Sequence, residues 1–252
     1  MAFPHSVGLL YSAFTYFLGF KVNSGEYKVM GLAPFGNPTD PQTLDFIHRI
    51  KSTLVDIKDD GSIWLNQQYF TYATGLKMIP EKKWKELFGF PRRIPEGPLD
   101  QGHCNLAFAI QAVTEEIVIR MAGEAKRVTG ANSLCLAGGV ALNCVANGKL
   151  LQTKLFQNIY VQPAPGDAGG ALGAALAVHY MYGSEKRTVD EQCDAMNGTY
   201  LGPAYSDQEI QQMNQAAKAV AHYFPQFNSL ADMVAEKIAE GCIVGWFQGR
   251  ME

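Results

Sequence analysis

The stretch Ser133 to Tyr182 constrains the fold more than any other, because it writes one supersecondary unit twice. Its first half opens SLCLAGGVALNC, and its second half contains PAPGDAGGALGAA. Each half reads as a short apolar strand, a glycine turn and a small-residue helix. The pattern predicts strands over Ser133–Ala137 and Ile159–Gln162, turns at Gly138-Gly139 and Pro163–Gly166, and helices over Val140–Thr153 and Asp167–Tyr182. Apolar runs of four to six residues bounded by glycine or proline read as buried strands of an α/β sheet. In such sheets ligands bind where strands end and helices begin. A Gly-Gly turn lets a ligand approach the backbone and aims free N–H groups at anions.

A chain of 252 residues can bury a sizeable core in one large or two smaller domains. With 47% apolar residues and a formal charge of −3, it has neither the basic excess of a nucleic-acid binder nor that of an acidic-membrane binder. Its five cysteines (Cys104, Cys135, Cys144, Cys193 and Cys242) are odd in number and lack CxxC spacing. That argues against a disulfide framework or a zinc knuckle and fits a reducing cytoplasm. Val7–Phe20 is too short and interrupted to span a bilayer and has no basic leader, so the expected role is a buried helix.

Ahead of the doubled unit, His5–Phe20 is apolar all round, as a core helix is. In VNSGEYKVMGLAPFGN, Ser24 is placed to cap a short helix with Glu26 in its first turn, and Pro34 and Gly36 end it. Thr43–Val55 is expected to be an amphipathic helix, Asp59-Asp60-Gly61 a turn, and Ser62–Tyr72 part of a small hairpin. Glu81–Phe88 reads as a short helix, Phe90–Pro98 as a loop, and Leu99–Val128 as a long helix. Beyond Gly183 the composition turns polar, which predicts a domain boundary, with 186–203 as linker. Ser206 is expected to cap a helix to about Ala217, followed by a strand at Val220–Phe224, a helix at Leu230–Ala239 and a strand at Cys242–Phe247.

Four segments in this order, SGEYKVMGLAPFG, LAGGVALNCVANGKL, PAPGDAGGALGAA and the terminal GWFQGRME, resemble the O-carbamoyltransferase family of nodulation and antibiotic-tailoring enzymes. Any one alone is weak; the ordered set is specific. The resemblance implies an α/β fold. Residues 1–185 would be the second half of an actin-like (ASKHA, Kae-type) nucleotide-binding domain. Residues 204–252 would be the truncated start of a YrdC-like domain. It further implies an ATP-dependent enzyme that makes a carbamoyl-adenylate from carbamoyl phosphate and passes the carbamoyl group to a hydroxyl of a small molecule or sugar. The family's paired metal-binding histidines have no counterpart here, since His5 and His48 lack the spacing. The chain is therefore expected to be a central fragment that by itself binds nucleotide weakly or not at all and does not turn over.

The resemblance also assigns residues, each of which has a plainer reading. Asp167 is either an N-cap or, as the family pattern has it, a ligand to a divalent metal beside the nucleotide. Gly138 and Gly139 form a tight turn or, with Val140, border the nucleotide. Asn143 is a surface polar residue or a nucleotide hydrogen-bond partner. Glu26 and Lys28 are a solvated pair, or bind ribose hydroxyls and phosphate respectively. Arg250 is a surface arginine or a guanidinium fork for carbamoyl phosphate. His103, His179 and His222 read as structural histidines, Cys135 and Cys144 as core residues, and Gly169–Ala177 as close helix packing on the sheet. Two other classes stay open: another actin-like phosphotransferase of the sugar- or acetate-kinase type, and a non-catalytic interaction homologue.

Overall fold

A computed structural model describes residues 2–188, 194 and 196–251. Cys193, Glu252 and part of the expected 186–203 linker lie outside the described residues. The chain is a mixed helix-and-strand protein that divides into two units, 1–184 and 185–252.

The first unit is built around two helices. Helix α1 (Val7–Phe17) buries residues on every face, among them Leu10, Phe14 and Phe17. Its cap is Ser6, whose hydroxyl accepts from Leu9 N at 3.2 Å. Helix α2 spans Glu26–Leu32 and α3 Pro41–Arg49. A hairpin of β1 (Val55–Ile57) and β2 (Ile63–Leu65) and the short α4 (Glu81–Phe88) follow. All of them share one core with the long helix α5 (Gln101–Thr129), which buries Leu106, Ile110, Val113 and Ile117 in it. At its centre Trp84 and Phe14 meet edge to face, ring centroids 4.8 Å apart, and Trp84 Nε1 donates to Tyr69 O at 2.7 Å. The buried α1 and the α4 limits are as the patterning predicts, and so is a hairpin, although its second strand covers only Ile63–Leu65 of the expected Ser62–Tyr72 and Gln67–Tyr69 is a tight helical turn. The expected Thr43–Val55 helix instead ends at Arg49, unwinds into one wide turn over Ile50–Leu54, and gives way to β1 at Val55. Ser24 is not the α2 cap. Gly25 holds that position, and the Glu26 carboxylate reaches back to the amides of Asn23 and Gly25.

The doubled unit follows α5. Strand β3 (Ser133–Leu136) pairs in parallel with β4 (Asn158–Val161), and helices α6 (Cys144–Gln152) and α7 (Asp167–Ala177) follow them. Leu134, Leu136 and Ile159 pack on a small cluster of Ala122, Leu150 and Phe156. The expectation of fully buried strands fails. The described sheet has two strands, and exposure alternates along both. One face meets α5 and α6, and the other carries the exposed Cys135 and Tyr160. For the same reason Cys135 is not a core residue, and α7 has no buried residue despite its small-residue run. Cys144 is exposed as well, its Sγ 3.9 Å from Met30 Sδ.

The second unit contains α8 (Asp207–Ala217) and α9 (Phe227–Ala239). Ser206 caps α8 as expected, in a reciprocal capping box with Glu209. Val220–Phe224 and Cys242–Phe247 form no ladder, contrary to the strand patterning. A strand exists only with a partner for its N–H and C=O groups, and among the described residues neither segment finds one. Gly202 and Pro203 instead pair with Met251, through Gly202 N to Met251 O and Met251 N to Pro203 O.

Candidate nucleotide site

The parallel register Ser133↔Asn158 through Leu136↔Val161 ends β3 and β4 level with each other. Both glycine turns therefore leave the same edge of the sheet. They are joined directly, because Gly138 N donates to Pro165 O at 2.6 Å. Gly138 has φ 93° and ψ 158°, a backbone that only glycine takes without strain. Gly139–Leu142 is one tight helical turn, and Asn143, at φ −72° and ψ 85°, breaks it from α6. The expected helix from Val140 is thus two pieces. The break serves Asn143, whose Oδ1 accepts from Ala146 N at 3.0 Å and caps α6.

Asp167 is the first residue of α7, exposed, in the turn where the helix dipole favours negative charge. The cap itself is Gly166, so the plainer N-cap reading of Asp167 does not hold. The same first turn of α7 is pressed against the loop: a Cβ on Gly169 would lie 2.1 Å from Ala164 O. This places Asp167 two residues beyond the carbonyl that Gly138 holds.

The other expected residues are engaged differently. Val140 turns its side chain into the main core, so only its backbone faces the turn. Asn143 is buried rather than on the surface, and its amide is matched to Gln111: Nδ2 donates to Gln111 Oε1 at 3.0 Å and Oδ1 accepts from Gln111 Nε2 at 3.1 Å. Glu26 accepts from Ser12 Oγ at 2.7 Å and from the two amides that start α2. Lys28 pairs with Glu96 at 2.8 Å; the hydrogen bond to Glu96 raises the lysine pKa, and the one from Lys28 lowers that of Glu96. Arg250 belongs to the second unit, where Nη1 donates to Gly202 O at 2.7 Å. His103 is structural, closing a capping box with Asp100 at the start of α5, whereas His179 and His222 are exposed. His5 accepts from Leu65 N at 3.0 Å and stacks on Trp64.

Sequence reasoning missed four residues beneath the turn: Tyr11, Gln111, Glu115 and Lys149. Burial, then the charges of Glu115 and Glu26, push the Tyr11 hydroxyl well above its ordinary pKa, so it stays a donor. It gives that hydrogen to Gln111 Oε1 at 2.9 Å. The available signal was Gln111 and Glu115, one helical turn apart inside the apolar stripe of α5.

For a metal, the described residues offer Asp167 as one carboxylate ligand. Among them no group of three or more His, Cys, Asp and Glu side chains gathers to hold an ion. No helix among them is long and apolar enough to cross a membrane.

The family profile described as "Carbamoyltransferase N-terminus" matches residues 1–176, which include both glycine turns and Asp167. The chain belongs to the carbamoyltransferase family. Among its family relatives, an uncharacterized protein of Synechocystis is 53% identical over 252 residues, 99% of this chain and 40% of that protein. Nodulation protein NolNO of Sinorhizobium fredii is 33% identical over 254 residues, 99% of this chain and 34% of its own length. Nodulation protein NolO of Bradyrhizobium diazoefficiens is 32% identical over 254 residues, 100% of this chain and 42% of its own. The chain thus spans less than half the length of each of these relatives.

Proposed function

We propose that this chain supplies one wall of the adenine-nucleotide pocket of an ATP-dependent O-carbamoyltransferase. The observation that carries the reading is the bond from Gly138 N to Pro165 O, which unites two glycine turns at the ends of parallel strands beside an exposed aspartate. Backbone at the Gly138–Val140 turn borders the nucleotide. The Asp167 carboxylate gives one oxygen to a divalent cation that screens the phosphates. With Glu26 turned inward, the α2 segment contributes Lys28, released from Glu96 to meet phosphate as a point charge. The reading retains the actin-like character of the first unit and the YrdC-like character of the second, where Arg250 binds carbamoyl phosphate.

The chemistry is positioning and charge neutralisation. A carbamoyl carbon is a poor electrophile because nitrogen donates into its carbonyl. Joined to AMP it gains a phosphate leaving group. In this reading carbamoyl phosphate loses its phosphate to water and leaves carbamate. A carbamate oxygen attacks the α-phosphorus of ATP and expels pyrophosphate. The substrate hydroxyl then attacks the carbamoyl carbon, releasing AMP and its own proton. Holding the reactants together supplies up to ~7–11 kcal/mol of the barrier, and a closed cavity protects the adenylate from water.

The deciding experiment is a titration with ATP and magnesium, read by chemical shifts so that weak binding registers, on the chain and its Asp167→Ala variant. Magnesium-dependent ATP binding at the two glycine turns, weakened at least about tenfold by the substitution, supports the reading. Equal binding by both proteins refutes the role of Asp167.

A further inference from the structure

Gln111 lies 4% exposed in the middle of α5, and each of its amide groups is satisfied inside the protein. Its Oε1 accepts from Tyr11 Oη and from Asn143 Nδ2, at 2.9 and 3.0 Å. Its Nε2 donates to Asn143 Oδ1 at 3.1 Å and to Glu115 Oε1 at 2.9 Å. The same Asn143 oxygen caps α6 at Ala146 N. The other oxygen of Glu115 pairs with Lys149 on α6. A continuous chain of hydrogen bonds therefore runs from α1 through α5 to the residue that ends the Gly139–Leu142 turn.

Apolar side chains would fill the same volume with no desolvated polar atoms to satisfy. What the amides add is direction: Gln111 and Asn143 match donor to acceptor in one mutual orientation. The turn's other fastenings are the Val140 side chain, packed on the main core, and two local hydrogen bonds, Asn147 Nδ2 to Ala141 O at 2.7 Å and Gly138 N to Pro165 O, so the polar, directional tie to α5 comes from Gln111.

We infer that Gln111 is a positioning residue, which holds Asn143 and through it sets the Gly138–Leu142 turn in its ligand-facing conformation. The ligand half of this statement rests on the nucleotide reading above. Losing Gln111 strands Asn143 Nδ2 and the Tyr11 hydroxyl in a buried place, so the turn is expected to open while the distant aromatic core stays closed.

The test compares the wild-type chain with Gln111→Leu and the milder Tyr11→Phe by residue-resolved amide hydrogen exchange and by chemical-shift titration with ATP and magnesium. In Gln111→Leu, exchange across 138–147 should rise at least about tenfold, exchange in α3 and α4 should stay at the wild-type rate, and ATP affinity should fall about tenfold. Tyr11→Phe should give the same pattern weakly, because Gln111 Oε1 keeps its bond from Asn143. It also keeps the question answerable if the leucine variant does not fold. Unchanged exchange at 138–147, or a rise spread evenly over the chain, overturns the assignment. A loosened turn with unaltered ATP affinity overturns the link from Gln111 to the ligand. If the wild-type chain shows no ATP shifts while the variant turn loosens, the anchor stands and the nucleotide reading falls.

Discussion

At the scale of single residues, the same side-chain chemistry serves ligand or fold according to what it faces. Glu26 heads a helix in a segment that resembles a nucleotide-binding one, yet its oxygens are taken by Ser12, Asn23 N and Gly25 N. Glu26→Ala should therefore lower stability to urea unfolding by about 1–3 kcal/mol, the range for stranding buried hydrogen-bond partners. A carboxylate kept only for ribose would leave the midpoint where it is. Asp167 is the converse: exposed, and not the cap of its helix, so Asp167→Ala should leave stability within about 0.5 kcal/mol while weakening the proposed magnesium-dependent ATP binding at least about tenfold. Trp84, 0% exposed and ringed by Phe14, Phe17 and Phe88, marks the other extreme. Trp84→Ala should cost about 3–5 kcal/mol by the same measurement.

At the scale of elements, tight backbone approach decides more than propensity. The small residues of α7 look like a packing surface, but no residue of the helix is buried. The glycine that matters is Gly169, against Ala164 O. Gly169→Ala must shift either the helix or the Pro163–Gly166 loop, at about 1–3 kcal/mol for an overpacked contact. The shift should appear as chemical-shift changes at Gly138, whose amide hangs on that loop. Helix α6 begins four residues later than its pattern suggests, because Asn143 leaves the helix to cap it. No local preference dictates that break; the partner that rewards it, Gln111, is 32 residues away.

At the scale of the molecule, the first unit is a helical core with a small parallel sheet at one end of α5. Glu116 on α5 fastens the wide turn after α3 through Lys51 at 2.7 Å and continues to Arg120 at 2.7 Å. Burial acts upward on its carboxyl, but Lys51 and Arg120 outweigh it and hold the pKa below the ordinary 4.5. A carboxyl lowered on folding stabilises fully above 4.5 and loses that contribution as pH falls through the lower folded value. Glu116→Gln should accordingly flatten the acid side of the stability–pH curve and leave its shape above neutrality unchanged, as read by unfolding midpoints across pH. What the sequence determined is whatever local periodicity and end signals encode: the buried α1, the limits of α4, the Ser206 box on α8, and the strand-turn-helix unit repeated with its glycines. The family too was legible, through four motifs in order. Tertiary structure alone decided which polar groups are spent indoors and which face out. Glu26 and Asn143 are claimed by residues 14 and 32 positions away, and Asp167 is left open. It also decided which β-forming segments become strands. Hydrogen bonds and burial are settled between partners that only the fold brings together, and no single stretch of sequence carries both halves of such a pair.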